Sequence, residues 1–196
     1  MKSKVLILSI LITFSEFLFS CKKGEKEDSL PSYTETGANT FSFKVNRKVY
    51  QSYVGYLPAF TKISVCYNYI DTFRNNNFLF SIIGNIVYLQ DNKHIQINIH
   101  YMPKVGTYIL SNYIWLGKGD YANYEDDNPG SILYETDSIH TGRLIITKLD
   151  TINRIISGKF NFDAKQSCVY RECNSIISVE GQFDVKYKPN VSVNYY

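Results

Sequence analysis

This sequence is short of methionine, tryptophan and histidine, with two, one and three among 196 residues. It has no GxSxG, HExxH, Gly-rich phosphate loop or CxxC. The short motifs that mark a nucleophile elbow, a zinc protease, a nucleotide cradle or a dithiol centre are therefore missing, and nothing asks for an enzyme. It also lacks a charge excess. Lys and Arg number 21 and Asp and Glu 18, and no basic stripe interrupts that balance, so nucleic acid is the weakest partner class. No window carries a 3.6-residue apolar stripe, and the longest apolar run is broken by Glu16 before the roughly 20 residues a spanning helix needs. What is plentiful is Tyr, at 17, and Phe, at 12. With many Ile and Val they favour strands.

The N-terminus has a basic start, Lys2 and Lys4, then the apolar "VLILSILITF" and "SEFLFSC". That is the layout of a secretory signal over residues 1–20. Leu18-Phe19-Ser20-Cys21 resembles a lipobox, in which Cys21 takes the lipid (diacylglyceryl and palmitate-type acyl chains) and becomes the new N-terminus. Phe19, where a smaller residue is usual, and Glu16 are departures from that pattern. The first 20 residues hold two of the basic and one of the acidic residues, which leaves 19 and 17 in the mature chain. "KKGEKEDSLPSYTETGAN" has charges, Pro31, Gly24 and Gly37 and no apolar period, so residues 21–38 read as a lipidated Cys and flexible tether. The expected location is the outer membrane, lipid-anchored, on its cell-surface or periplasmic face.

From Phe41 onward the period is two. "FSFKV", "KISVCYNYI", "HIQINIHY", "GRLIITKLD", "RIISGKFNFDA" and "SIISVEGQFDVKY" alternate, while "NFLFSIIG" is continuously apolar, as in a strand covered on both faces. About ten short strands with Asn, Asp and Gly at their joins predict a single antiparallel β-sandwich over 39–196, with a lipocalin-like closed barrel as the alternative. "TGANTFSFKVNRKVY" and "TGRLIITKLDTINRIISGKFNFDA…VEGQFDVKY" resemble a family of small Bacteroidota lipoproteins catalogued only as a domain of unknown function. The resemblance implies an all-β secreted fold and supports lipid on Cys21. It carries no catalytic residues. Where that family commonly has Gly in the first hairpin turn, this chain has Arg47.

Cys168 and Cys173 flank "VYRE" between two strand patterns, so opposite ends of a hairpin can bring them within bridging distance. In an oxidising compartment a disulfide is the natural reading, and no other Cys or His lies near in sequence to make a metal site. Cys66 reads as a strand Cys, buried and inert. His94, Gln96, Asn98 and His100 share one face of a strand whose other face is Ile95, Ile97 and Ile99. That polar face is either a solvated outer surface or a binding strip, since Gln, Asn and His bond sugar hydroxyls in both directions. The two imidazoles begin about 20 Å apart and cannot share a metal. His140 reads as a turn residue. The acidic "DYANYEDDNPG" reads as a solvated turn rather than a calcium loop. "TYILSNYIWLGKGDYANY" gathers Tyr108, Tyr113, Trp115, Tyr121 and Tyr124, either half-buried in the ordinary way or, with Trp115 and Tyr113 foremost, a contact surface for a glycan or protein. No cofactor is implied. The chain reads as a membrane-anchored binding or surface component without catalysis, or as a barrel carrying a small apolar ligand, with a hydrolase the least favoured reading.

Overall fold

The computed structural model describes residues 29–51, 61–71, 76–88, 91–100, 103–112, 119–127, 130–168 and 173–187, with the backbone alone at 61–71, 76–79, 87–88 and 91. Eleven strands run through the described residues. They are β1 Thr40–Val45, β2 Lys48–Gln51, β3 Thr61–Asp71, β4 Asn76–Tyr88, β5 Asp91–Ile99, β6 Gly106–Leu110, β7 Tyr121–Asp126, β8 Ile132–Glu135, β9 Gly142–Asp150, β10 Ile155–Gln166 and β11 Ile176–Lys186. All ten pairings are antiparallel. Alternation sets which face is buried: on β9 the burial switches at every residue from Gly142 to Lys148 apart from the intermediate last position, and on β11 Ile177, Val179 and Gly181 point in while Ile176, Ser178 and Glu180 point out.

The strands form one ladder, β2-β1-β11-β10-β8-β7-β5-β4-β3. The twelve-residue β10 divides its partners: residues 155–162 pair with β9, which pairs with β6, and Lys165 and Gln166 pair with β8. The expected sandwich is corrected here. There are not two stacked sheets but one that curls through 252° into a nearly closed barrel, closer to the barrel alternative. Its strands are also longer than expected, reaching thirteen residues in β4.

Local features explain the curl. Between β9 and β10 the register skips at Ser157/Gly158, a bulge that bends the strand and raises its twist. Inward-facing glycines then make room for rings. Gly158 lies opposite Phe183 and Gly181 opposite Phe160 in the β10–β11 register, and a Cβ on Gly158 would meet the Phe183 ring at 2.7 Å. On β4, a Cβ on Gly84 would overlap the ring of Phe41 from β1. Those strands are six steps apart along the ladder, about 29 Å in a flat sheet. Only a sheet that closes on itself brings them together. Phe41, Phe43, Phe80, Phe183 and Ile82, Ile95, Ile97 and Ile99 fill the interior, with Phe41 stacked on Phe160 at 5.7 Å and Phe43 edge-on to Tyr124 at 6.3 Å.

Residues 29–39, read from composition as part of a tether, lie along the outside of β9, β10 and β11. Asp184 points outward on β11 yet is 1% exposed, because this segment covers it. Its carboxylate accepts hydrogen bonds from Thr34 Oγ1 (2.7 Å), the backbone of Thr36 (2.9 Å), Gly37 (2.7 Å) and Ala38 (3.1 Å), and Ser157 Oγ (2.8 Å). Lys148 Nζ donates to the Glu35 carbonyl at 2.6 Å, and the Lys159 ammonium sits 4.7 Å from the centre of the Tyr33 ring. Burial pushes the Asp184 carboxyl up, but the bonds from Thr34, Ser157, Ala38 and Gly37 prevail and hold it well below the usual carboxylate range.

Candidate functional site

Strand β5 does not carry a solvated outer face. That expectation is corrected: Asn98 is fully buried and Gln96 nearly so, although both lie on the face opposite Ile95, Ile97 and Ile99. Neighbouring strands extend the polarity. Ser81 on β4 is the register partner of Asn98, Asn123 on β7 that of Gln96, and Glu135 on β8 that of Asn123. Together they make a buried polar band on the outside of the barrel, across four strands. Gln96 Nε2 donates to Asn98 Oδ1 at 3.3 Å. Ser81 Oγ, Asn98 Nδ2 and Asn123 Oδ1 are buried without a hydrogen-bond partner among the described residues. Each such atom costs about 1–3 kcal/mol relative to a satisfied one, so three on one face is a concentration that asks for a reason.

The histidines stand at the ends of this strip. His94 Nδ1 is paired with Asn85 Oδ1, and burial lowers its pKa against the opposing pull of Glu125 and Asp127, which keeps the imidazole neutral at pH 7. His100 is tied to Asp120, whose carboxylate accepts its backbone N–H at 2.9 Å and lies 3.7 Å from its Nδ1. Burial raises the Asp120 carboxyl, and the His100 contacts oppose the rise. Tyr113 and Trp115 lie outside the described residues, as does Cys21. Of Cys66 only the backbone is described, opposite Ser81.

The acidic run expected as a turn is largely strand β7. Its carboxylates are spread among separate partners: Glu125 accepts Ser131 Oγ and Asp126 pairs with Lys93. No group of three His, Cys, Asp or Glu able to hold a metal occurs among the described residues. Tyr121 and Tyr124 are buried, and Tyr108 is half-buried on β6. His140 does sit in a turn, its N–H donating to Asp137 Oδ1 at 2.6 Å. Cys168 and Cys173 form a disulfide, with Cα atoms 6.0 Å apart, at the β10–β11 connection.

A second feature lies on the far side of the barrel. Two open hollows of about 350 and 340 Å³ share Asn161 and Glu180 and so form one groove across β1, β11, β10 and β9. Leu30 borders one end and the Asn46–Arg47 turn the other. Residues 69–185, more than half of the chain, match the family described as a domain of unknown function (DUF6252). The chain belongs to the DUF6252 family. No curated protein and no solved structure matches it. The match begins within β3, so the DUF6252 segment holds the whole polar band and most of the groove floor, while β1, the Arg47 turn and the clamped N-terminal segment lie before it.

Sequence reading reached Gln96 and Asn98 and missed Ser81, Asn123 and Glu135. Ser81 sits in the continuously apolar "FLFSIIG" and Asn123 among aromatics, so neither stretch alternates cleanly. Only register brings them beside Asn98 and Gln96, and one chain read alone does not carry it.

Proposed function

We propose that this DUF6252 protein is a lipoprotein anchored to the outer membrane through Cys21, and that its barrel is a non-catalytic binding or surface component. The buried polar band of β4, β5, β7 and β8 carries the binding half of this reading. Ser81, Gln96, Asn98 and Asn123 supply neutral donors and acceptors side by side, and three of their atoms have no partner among the described residues. That is the chemistry to satisfy an uncharged ligand rich in hydroxyls or amides, a glycan first and a protein backbone second, once the cover that buries these side chains is displaced. Trp115 and Tyr113 are the aromatic contacts we assign to the same ligand. The lipobox-like "LFSC" and the charged run after it support the anchor. The carrier reading has less support, because Phe41, Phe43, Phe160 and Phe183 pack into the interior that an apolar ligand would need.

Titrating a panel of neutral glycans against wild type, Asn98→Ala and Trp115→Ala tests it. One or more glycans are expected to bind wild type, with affinity falling about tenfold in each variant, the value of one lost hydrogen bond to a desolvated partner. Asn98→Ala removes the acceptor of the Gln96 Nε2 bond and empties a fully buried position, so its unfolding midpoint is expected to fall somewhat, and binding is compared at a temperature where every variant is folded. A panel without binding, or binding indifferent to both substitutions, would contradict the site.

A further inference from the structure

The groove over β1, β11, β10 and β9 is separate from the polar band and has different chemistry. One row of register partners crosses it: Lys44 on β1 faces Glu180 on β11, Glu180 faces Asn161 on β10, and Asn161 faces Arg143 on β9. Three strand steps separate Lys44 from Arg143, about 14 Å. Flanking that row, Arg47 stands at one end, Lys159 at the other, and Asp163 and Ser178 line the floor. Lys44 is 3.4 Å from Glu180, and Asp163 is engaged by Ser178 Oγ at 2.6 Å. Arg47 and Arg143 make no ion pair among the described residues.

Arg47 is the unusual member. Asn46 and Arg47 form the two-residue turn between β1 and β2, with φ of 48° and 75°. A turn with both central residues left-handed favours Asn-Gly. Asn suits its place, but Arg has no local hydrogen bond to offset the Cβ penalty that Gly avoids, a cost of about 1–2 kcal/mol. A strained residue holding a free guanidinium over a groove, with a second free guanidinium across it, points to a ligand.

We propose that this groove binds an extended acidic polysaccharide, with Arg47 and Arg143 each receiving a carboxylate of a uronate-type unit. Arginine's planar fork matches a carboxylate in a bidentate pair. Asn161, Ser178 and the two acidic side chains take the hydroxyls between. The carboxylates decide the class. Glu180 and Asp163 lie on the groove floor and would repel a polymer charged at every unit, such as a nucleic acid or polyphosphate, whereas hydroxyls of a sugar donate to them.

The test titrates a hyaluronan hexamer, in which each uronate alternates with a neutral N-acetyl sugar, a neutral glucose hexamer, a DNA dodecamer and a poly-glutamate peptide against the mature chain and its Arg47→Gly, Arg143→Gln and Asn98→Ala variants. The uronate hexamer is expected to bind, to weaken at 0.5 M salt, and to lose at least tenfold in affinity in Arg47→Gly and Arg143→Gln. Arg47→Gly is expected to unfold at a higher temperature than wild type, so its loss of binding cannot be a loss of fold. Asn98→Ala is expected to bind the uronate as wild type does, which separates this groove from the neutral-ligand band. Binding of DNA or poly-glutamate as tight as the uronate would overturn the assignment, as would neutral-hexamer binding that is as tight as the uronate and is lost in Arg47→Gly. So would no uronate binding, or binding unchanged in Arg47→Gly.

Discussion

Asp184→Ala is expected to cost about 3–5 kcal/mol and to release the segment that precedes β1. Six donors, from the five residues Thr34, Thr36, Gly37, Ala38 and Ser157, converge on one carboxylate. Hydrogen bonds to a charged group contribute about 1.5–3 kcal/mol each when buried. The loss stays below their sum because the freed segment can lift off and hydrate its backbone. Two readouts are specific. Urea unfolding at pH 7 should show a lower midpoint, and glutamyl endopeptidase should cut after Glu35 in the variant far faster than in wild type, where the Glu35 carbonyl is held by Lys148. The pH dependence has a definite sign. Asp184 has a folded pKa below its unfolded value of about 3.9, so its contribution is full above that value and fades as pH falls below it. Wild type should therefore weaken below about pH 4, and Asp184→Asn, already weaker at pH 7, should show a flatter acid limb. An unchanged midpoint in Asp184→Ala would mean that the segment does not hold to the barrel.

Phe41→Ala is expected to cost about 3–5 kcal/mol, and the reason lies as much in β4 as in β1. The ring is fully buried, stacks on Phe160 and occupies the space a side chain would take on Gly84. Gly84→Ala should by itself destabilise by about 1–3 kcal/mol, since its Cβ meets an aromatic ring fixed on all sides. Combined with Phe41→Leu, which shortens and narrows the neighbour, Gly84→Ala should cost less than it does beside Phe41. A coupling of about 0.5–3 kcal/mol is the expected result of that cycle by chemical denaturation. Strict additivity would place β1 and β4 out of contact and undo the closed curl of the sheet.

Strand content was legible because period-two alternation is a local property. "SIISVEGQFDVKY" and "RIISGKFNFDA" became β11 and β10, each alternating between buried and exposed positions over much of its length. Whether those strands stack as two sheets or curl into one depends on cross-barrel pairs such as Phe41 over Gly84, which are 43 residues apart in sequence. The same distance hid the polar band, whose members come from four strands. The clamp on Asp184 was invisible for another reason: "SYTETGAN" has the composition of a spacer, and its affinity for the barrel lies in backbone N–H groups that composition does not record. The disulfide was legible because a short Cys pair between two strand patterns can close locally, and it does so at Cys168 and Cys173.

The direct test of the proposed function's central claim, attachment through Cys21, is fractionation of source cells expressing C-terminally tagged wild type and Cys21→Ala, followed by intact mass of the purified chain. The account predicts wild type in the membrane fraction, beginning at Cys21 and heavier than its sequence by a diacylglyceryl group and acyl chain, and Cys21→Ala lost from that fraction. Wild type recovered without added lipid, or a Cys21→Ala variant that fractionates as wild type does, would contradict it.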